Sequence, residues 1–271
     1  MTFWQPMSGC GAHCRTAGGE LVAGVRAALR VTAVIAVLLM GLVAVPVWRR
    51  AGVRFVARML LAALGVRLRL RGPVPREGSL LVANHISWLD ILVLLAIRPV
   101  RLVAKCEVRR WPGIGGLAGL AGAIFVDRAR PKALPGTVAE VTAALRAGRS
   151  VAVFPEGTTH CGAARCAPSF RPAMFQAALD AGAPVVPVTI GYDSPAAAFI
   201  GDDTLWTAVC RVAAVRRLGV SLVAAPALHP VPGADRRILA QAAQASVSCV
   251  VPSVPKQRAS HYRRSTFALV E

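Results

Sequence analysis

Leu80-Leu81-Val82-Ala83-Asn84-His85-Ile86-Ser87-Trp88-Leu89-Asp90 is the stretch on which the reading of this chain turns. Four apolar residues precede a histidine, and an aspartate follows five positions later. The apolar run reads as a buried strand that delivers a titratable pair to its end. Five residues turn a helix by about 140°, so the two side chains would not share a helical face. They meet if His85 stays in the loop and Asp90 enters the first turn of the next helix. A carboxylate there fixes the imidazole tautomer and stabilises the imidazolium. The other ring nitrogen can then take a proton from a hydroxyl. The same residues also suit an ordinary helix start, with Asn84 or Ser87 as the cap and Asp90 favouring the helix dipole.

Working outward, strand and helix signals alternate. Val66-Arg67-Leu68-Arg69-Leu70 alternates as a strand does, and Gly72, Pro73 and Pro75 make a turn. Residues 88–97 read as a helix stopped by Pro99, 101–105 and 123–126 as strands, and 137–147 as a helix ended by Gly148. Residues 151–154 read as a strand, 170–181 as a helix closed by Gly182, and 185–190 as a strand. This alternation predicts an α/β domain with a largely parallel sheet flanked by helices.

An N-terminal membrane-associated helical segment is expected before that domain. Residues 31–48 (VTAVIAVLLMGLVAVPVW) carry no charge and end at Trp48-Arg49-Arg50, an interfacial anchor pattern. Arg26 and Arg30 precede the run, and Arg49, Arg50, Arg54 and Arg58 follow it. Charge on both flanks fits a span, or a hairpin lying in one leaflet. Residues 53–64 continue as a basic amphipathic helix suited to anionic headgroups. A buried core helix is the other reading. The expected organisation is a flexible leader over 1–20, membrane-anchoring helices over 21–64, a catalytic-looking domain over 65–250 and a flexible basic tail over 251–271.

Composition agrees with a membrane partner. The 271 residues are 55% hydrophobic, and 32 Lys and Arg against 13 Asp and Glu give a formal charge of +19. Such a chain seeks an anionic surface. The apolar excess favours membrane, and the basic-aromatic interleaving of single-stranded nucleic-acid binders is missing, so no nucleic acid is expected. The odd set of seven cysteines, at 10, 14, 106, 161, 166, 210 and 249, fits a reducing compartment rather than a disulfide framework. Cys10, His13 and Cys14 lie close together, as do His160, Cys161 and Cys166. Tighter paired spacing is usual for zinc, so these read as incidental thiols and no metal is expected.

Three further segments carry polar residues at strand ends. Phe154-Pro155-Glu156-Gly157-Thr158-Thr159 can meet a polar headgroup, with Gly157 admitting close backbone approach and Thr158 donating, or can be a plain turn. Asp127-Arg128 closes another strand. Arg128 suits a phosphate, unless it merely pairs with Asp127. Lys105 is a weaker phosphate candidate at a neighbouring strand end. Gly113-Ile114-Gly115-Gly116-Leu117-Ala118 matches a dinucleotide fingerprint, but Arg109-Arg110-Trp111-Pro112 precedes it where a strand is required.

NHISWLD, GAIFVDR, FPEGTT and VVPV, in this order over roughly residues 65–225, resemble the glycerolipid acyltransferase family, and within it the 1-acyl-glycerol-3-phosphate acyltransferases. The resemblance implies transfer of a fatty acyl group from acyl-CoA or acyl carrier protein to a lysolipid hydroxyl, without metal or redox cofactor. It implies His85 as general base, Asp90 as its orienting acid, Arg128 at the acceptor phosphate, and Glu156, Gly157 and Thr158 as the third motif. Thr159 stands where the family often has arginine, and resembles relatives that acylate other lysolipids such as lyso-ornithine lipid. Phe170-Arg171-Pro172-Ala173 stands for the family's Phe-Lys-x-Gly, keeping the charge and losing the glycine. A thioester hydrolase, with His85 activating water, and a non-catalytic basic membrane-surface protein are the alternatives. The expected location is the cytoplasmic face of the cell membrane.

Overall fold

The computed structural model describes residues 10, 11, 14, 22, 24–73, 75–111, 113–231 and 233–249. The expected flexible leader and tail therefore fall outside the described residues, apart from Cys10, Gly11, Cys14 and the stretch's near neighbour Val22.

The core is a seven-stranded sheet in the order β1-β7-β6-β2-β5-β3-β4. Its strands are β1 (Val66–Arg71), β2 (Leu80–Ala83), β3 (Arg101–Lys105), β4 (Ile124–Val126), β5 (Val151–Val153), β6 (Val185–Tyr192) and β7 (Leu218–Ala224). Every neighbouring pair is parallel except β6 with β7. Helices cover both faces, as a parallel sheet requires.

The period of two along each central strand explains why they read as unbroken apolar runs. Leu81 and Ala83 face one core, with Val186 and Val188 of β6. Leu80 and Val82 face the other, with Val151 and Val153 of β5. The first core is closed by α2 (Leu89–Ile97) and α6 (Leu205–Ala214), the second by α4 (Leu134–Arg146), α5 (Ala173–Ala181) and α7 (Arg236–Cys249). Each fully buried Leu or Val contributes about 1.5–3 kcal/mol, so the motif-bearing strands are anchored from both sides. The remaining helix of the domain, α3 (Ile114–Leu120), follows a 3₁₀ turn, Cys106–Arg110, rather than a strand. A Cβ on Gly115 would strike the Arg109 carbonyl, so the glycine run serves close packing of that turn.

The N-terminal segment, α1 (Gly24–Ala63), is two helices joined at Arg49, whose φ of 47° breaks the helix. Pro46 sits just before the break. A Cβ on Gly52 would collide with the Ala44 carbonyl. In one straight helix those residues would lie about 12 Å apart, so the chain doubles back there as a hairpin. One side of the hairpin enters the first core through Val37, Ala44, Val45, Val56, Leu60 and Leu61. The other side leaves Leu29, Ile35, Leu39, Val43, Val47 and Trp48 exposed. By length and composition the segment can cross a membrane.

The flanking arginines correct the sequence reading in part. Arg30 donates to the carbonyls of Ala213 at 2.9 Å and Val215 at 2.6 Å, at the end of α6. Arg54 and Arg58 both donate to the Ala96 carbonyl, in the last turn of α2. Helix C-termini hold unpaired carbonyls and the negative end of the dipole. These three guanidiniums satisfy that need and lock the hairpin to the domain; Arg26, Arg49 and Arg50 remain exposed.

Candidate active site

The strand ends converge where open α/β sheets commonly hold their sites, beyond the carboxyl ends of the strands. Asn84 continues the sheet after β2 stops: its side-chain amide donates to the Ile190 carbonyl at 2.8 Å and accepts the Ile190 N–H at 2.7 Å. Asn84 is thus a strand clamp rather than a helix cap. Ser87 Oγ accepts the Leu89 N–H at 3.2 Å, near the start of α2.

With Asn84 clamped, His85 leaves the sheet in the loop, and Asp90 lies in the first turn of α2. His85 Nδ1 is 2.9 Å from Asp90 Oδ2. A carboxylate accepts, so Nδ1 carries the proton and Nε2 presents its lone pair. Asp90 is fully buried, and Oδ2 also accepts the N–H groups of Ile86 at 2.7 Å and Ser87 at 2.9 Å. The His85 side chain is 17% exposed, enough for one edge to meet a substrate.

Two groups that sequence reasoning missed hold this pair. The Tyr192 hydroxyl, at the end of β6, donates to Asp90 Oδ1 at 2.5 Å. Burial first, then the Asp90 charge and this hydrogen bond, raises Tyr192 well above the ordinary tyrosine range, so it remains a donor. The Phe154 ring stacks on the His85 imidazole, with centroids 4.0 Å apart and planes 13° off parallel. Tyr192 is signalled in the sequence only by its place at the end of an apolar strand, and Phe154 opens the FPEGTT segment without a role of its own.

Glu156 was expected to meet substrate, yet it is buried beneath His85. Its Oε2 accepts the His85 backbone N–H at 2.7 Å. His160 Nδ1 accepts the Gly162 N–H at 3.1 Å, which leaves the proton on Nε2. That atom lies 3.3 Å from Glu156 Oε1, within ion-pair distance though not aligned as a hydrogen bond. The His160 backbone N–H in turn binds the His85 carbonyl at 3.0 Å. Glu156 and His160 therefore fix the backbone on either side of the candidate base.

The cationic side of the site comes from β4. The Arg128 guanidinium reaches back to the Gly157 carbonyl. Strands lie about 4.8 Å apart, so β4 is about 14 Å from β2, and the long side chain closes much of that gap. Arg128 does not pair with Asp127, whose Oδ2 instead holds Arg130 Nε at 2.7 Å. Burial draws the Arg128 guanidinium below its ordinary value; the Glu107 carboxylate opposes this and the nearby Arg171 guanidinium adds to it. Gly157 has φ of 75°, a left-handed turn that exposes its carbonyl to Arg128. Thr158 is half-buried beside it. The Thr159 hydroxyl points elsewhere and donates to the Phe199 carbonyl. Lys105 is exposed at the end of β3, paired with Val126 of β4, with Nζ 5.9 Å from the Trp111 ring centroid.

Among the described residues one group can hold a metal ion: Cys10, Cys14, Cys161 and Cys166, whose sulfurs all lie within 4.8 Å of one another. The two cysteine pairs read separately as incidental thiols are therefore one cluster; His13 lies outside the described residues.

Comparison with known proteins shows the family and the fold. The family model described as Acyltransferase matches residues 65–191. The chain is similar to a lyso-ornithine lipid O-acyltransferase of Pseudomonas aeruginosa, with 39% identity over 69% of this chain and 73% of the relative. It is similar to a 1-acyl-sn-glycerol-3-phosphate acyltransferase of Neisseria meningitidis, with 31% identity over 76% of this chain and 83% of the relative. Its fold matches the crystal structure of the 1-acyl-sn-glycerophosphate (LPA) acyltransferase of Thermotoga maritima, with a TM-score of 0.59 and 22% identity, over 74% of this chain and 77% of that one.

Proposed function

This chain belongs to the acyltransferase family, and from that premise we propose that it acylates the free hydroxyl of 1-acyl-glycerol-3-phosphate, giving phosphatidate, with acyl-CoA or acyl carrier protein as donor. The single observation that carries this reading is the His85–Asp90 pair, with Nδ1 held at 2.9 Å and Nε2 left to accept. In this reaction the acceptor hydroxyl gives its proton to His85 Nε2 as its oxygen bonds to the thioester carbonyl carbon. The carbon–sulfur bond breaks, and the leaving thiolate takes the proton back from His85. Asp90 holds the imidazole, while Glu156 and His160 hold the His85 backbone N–H and carbonyl; in this reading the hydroxyl attacks the thioester directly, without an acyl-enzyme.

Arg128, with Arg171 close enough to act on its charge, supplies the positive field for an anionic headgroup. A second reading, lyso-ornithine lipid as acceptor, is favoured by Thr159. Its hydroxyl is engaged with Phe199 where a further arginine would strengthen phosphate binding. The similarity to the Pseudomonas aeruginosa lyso-ornithine lipid O-acyltransferase favours it too. The exposed apolar side of α1 would hold the protein in the membrane, on the cytoplasmic face if the thiols require a reducing side.

The test is a lysolipid panel with radiolabelled acyl-CoA and acyl carrier protein. Phosphatidate formed faster than any other product supports the first reading, and acylated ornithine lipid supports the second. Thioester turnover that is equally fast without any lysolipid would show hydrolysis and reject both.

A further inference from the structure

We propose that Cys10, Cys14, Cys161 and Cys166 bind one zinc ion as a tetrathiolate, which fastens the segment before the hairpin to the loop that follows Glu156. The four sulfurs come from two distant parts of the chain and all lie within 4.8 Å of one another. A tetrahedral zinc with sulfur ligands at about 2.3 Å sets its sulfurs about 3.8 Å apart, so a contraction of about 1 Å or less closes the site. Four convergent thiols are also a soft ligand set, which selects zinc over magnesium or calcium.

Local backbone supports the reading at both ends. Three residues separate Cys10 from Cys14 and four separate Cys161 from Cys166, so the spacing that read as too loose for zinc in fact lies inside the two to four residues that zinc pairs use. Each pair is drawn together by a turn. The Cys14 N–H binds the Gly11 carbonyl at 2.9 Å, and the Cys166 N–H binds the Ala163 carbonyl at 2.9 Å. Gly162, with φ of 87°, lets the second loop bend. A Cβ there would press on Ile86 Cδ1 at 3.2 Å.

The surroundings point to a closed structural site rather than a catalytic one. Cys10 is buried, the other three are half-buried, and Ile86, Ala198 and Ile200 pack around them. Four protein ligands leave no open position for substrate. The small separation fits one ion, since an iron–sulfur cluster spreads its thiolates over several metal atoms. The site lies one residue from the base on two sides. Ile86 follows His85, and Cys161 follows His160, whose N–H binds the His85 carbonyl. Zinc here would stiffen the loop that carries His85 without touching substrate.

The experiment measures metal in full-length protein purified in mild detergent under reducing conditions. Wild type is expected to carry about one zinc per chain, as a closed four-ligand site does. Cys10→Ser with Cys161→Ser should lose it, while Cys106→Ser with Cys210→Ser and Cys249→Ser should keep it. Should the double variant fail to fold, wild-type protein expressed in cobalt-enriched medium decides. The proposal requires the intense visible bands of tetrahedral cobalt with a thiolate charge-transfer band. Wild type without zinc and without those bands overturns it. So do zinc unchanged in the double variant, iron with sulfide in place of zinc, and intact masses showing two disulfides under reducing purification. None of these readouts depends on acyl transfer.

Discussion

Tyr192 and Asp90 are hydrogen-bonded at 2.5 Å across 102 residues of chain. Tyr192 takes Oδ1, and His85, Ile86 and Ser87 share Oδ2. The carboxylate therefore has one orientation, and so does the imidazole it holds. Burial and the Asp90 charge keep the tyrosine protonated, which makes it a permanent positioning donor.

Tyr192→Phe should lower kcat by about tenfold with little change in KM. A hydrogen bond to a charged group is worth about 1.5–3 kcal/mol, and part of that reaches the base through orientation. The variant also has a pH signature. The folded hydroxyl titrates above the unfolded one, so its stabilising effect is intact below about pH 10 and is lost as pH rises further. Chemical denaturation from pH 8 upward should show a smaller alkaline loss in Tyr192→Phe than in wild type. Equal kcat in the two proteins would reject the positioning role.

His85→Ala should reduce acyl transfer by about 10²–10⁴, the usual worth of a general base, with folding and membrane association retained. Asp90→Asn should also be severe, because the imidazole loses its charged partner and can be held in the wrong tautomer. Circular dichroism and sedimentation separate these losses from unfolding. Near-normal turnover by purified His85→Ala would remove His85 from the reaction.

Arg128→Ala should raise KM for 1-acyl-glycerol-3-phosphate about tenfold or more, and Arg128→Lys should recover only part, since lysine cannot make the bidentate contact. Arg171→Ala should act in the same direction and more weakly, because Arg171 is exposed. Unchanged kinetics on this lipid in Arg128→Ala, with lyso-ornithine lipid preferred by wild type, would transfer the acceptor assignment to the second reading.

Replacing Leu39, Val43 and Val47 with Ser should release the protein from washed membranes while leaving it folded, since all three are exposed on the hairpin's outer side. Each exchange removes about 1.5–3 kcal/mol of apolar burial in lipid. Deleting the whole hairpin is a poorer probe, because Val56, Leu60 and Leu61 belong to the core. Full retention of the triple Ser variant on membranes would place the anchor elsewhere.

The features readable from the linear chain are those whose partners are near in sequence. Leu80–Ala83 reads as a buried strand because its neighbours are all apolar. His85 and Asp90 meet within one strand–loop–helix turn, so their spacing marks them as a candidate pair, though an ordinary helix start fits the same residues. β7 is missing from the sequence reading, although Leu218, Val220, Leu222 and Ala224 are buried at a strict period of two.

What the folded chain adds depends on strand order and on the path of the hairpin. The order β6-β2-β5-β3-β4 sets Tyr192 on one side of His85 and brings Arg128 toward it from the other. No local pattern encodes which strand lies beside which. The arginines around the apolar run read as headgroup ligands, yet three of them satisfy the carbonyls of α2 and α6, which become neighbours only on folding. The cysteines are the extreme case. Each pair has a plain local turn, and only the packing of the N-terminal segment against the loop after Glu156 makes four thiols one site. Periodicity and spacing act through contacts a few residues long, whereas these juxtapositions come from burying apolar faces between segments far apart in the chain.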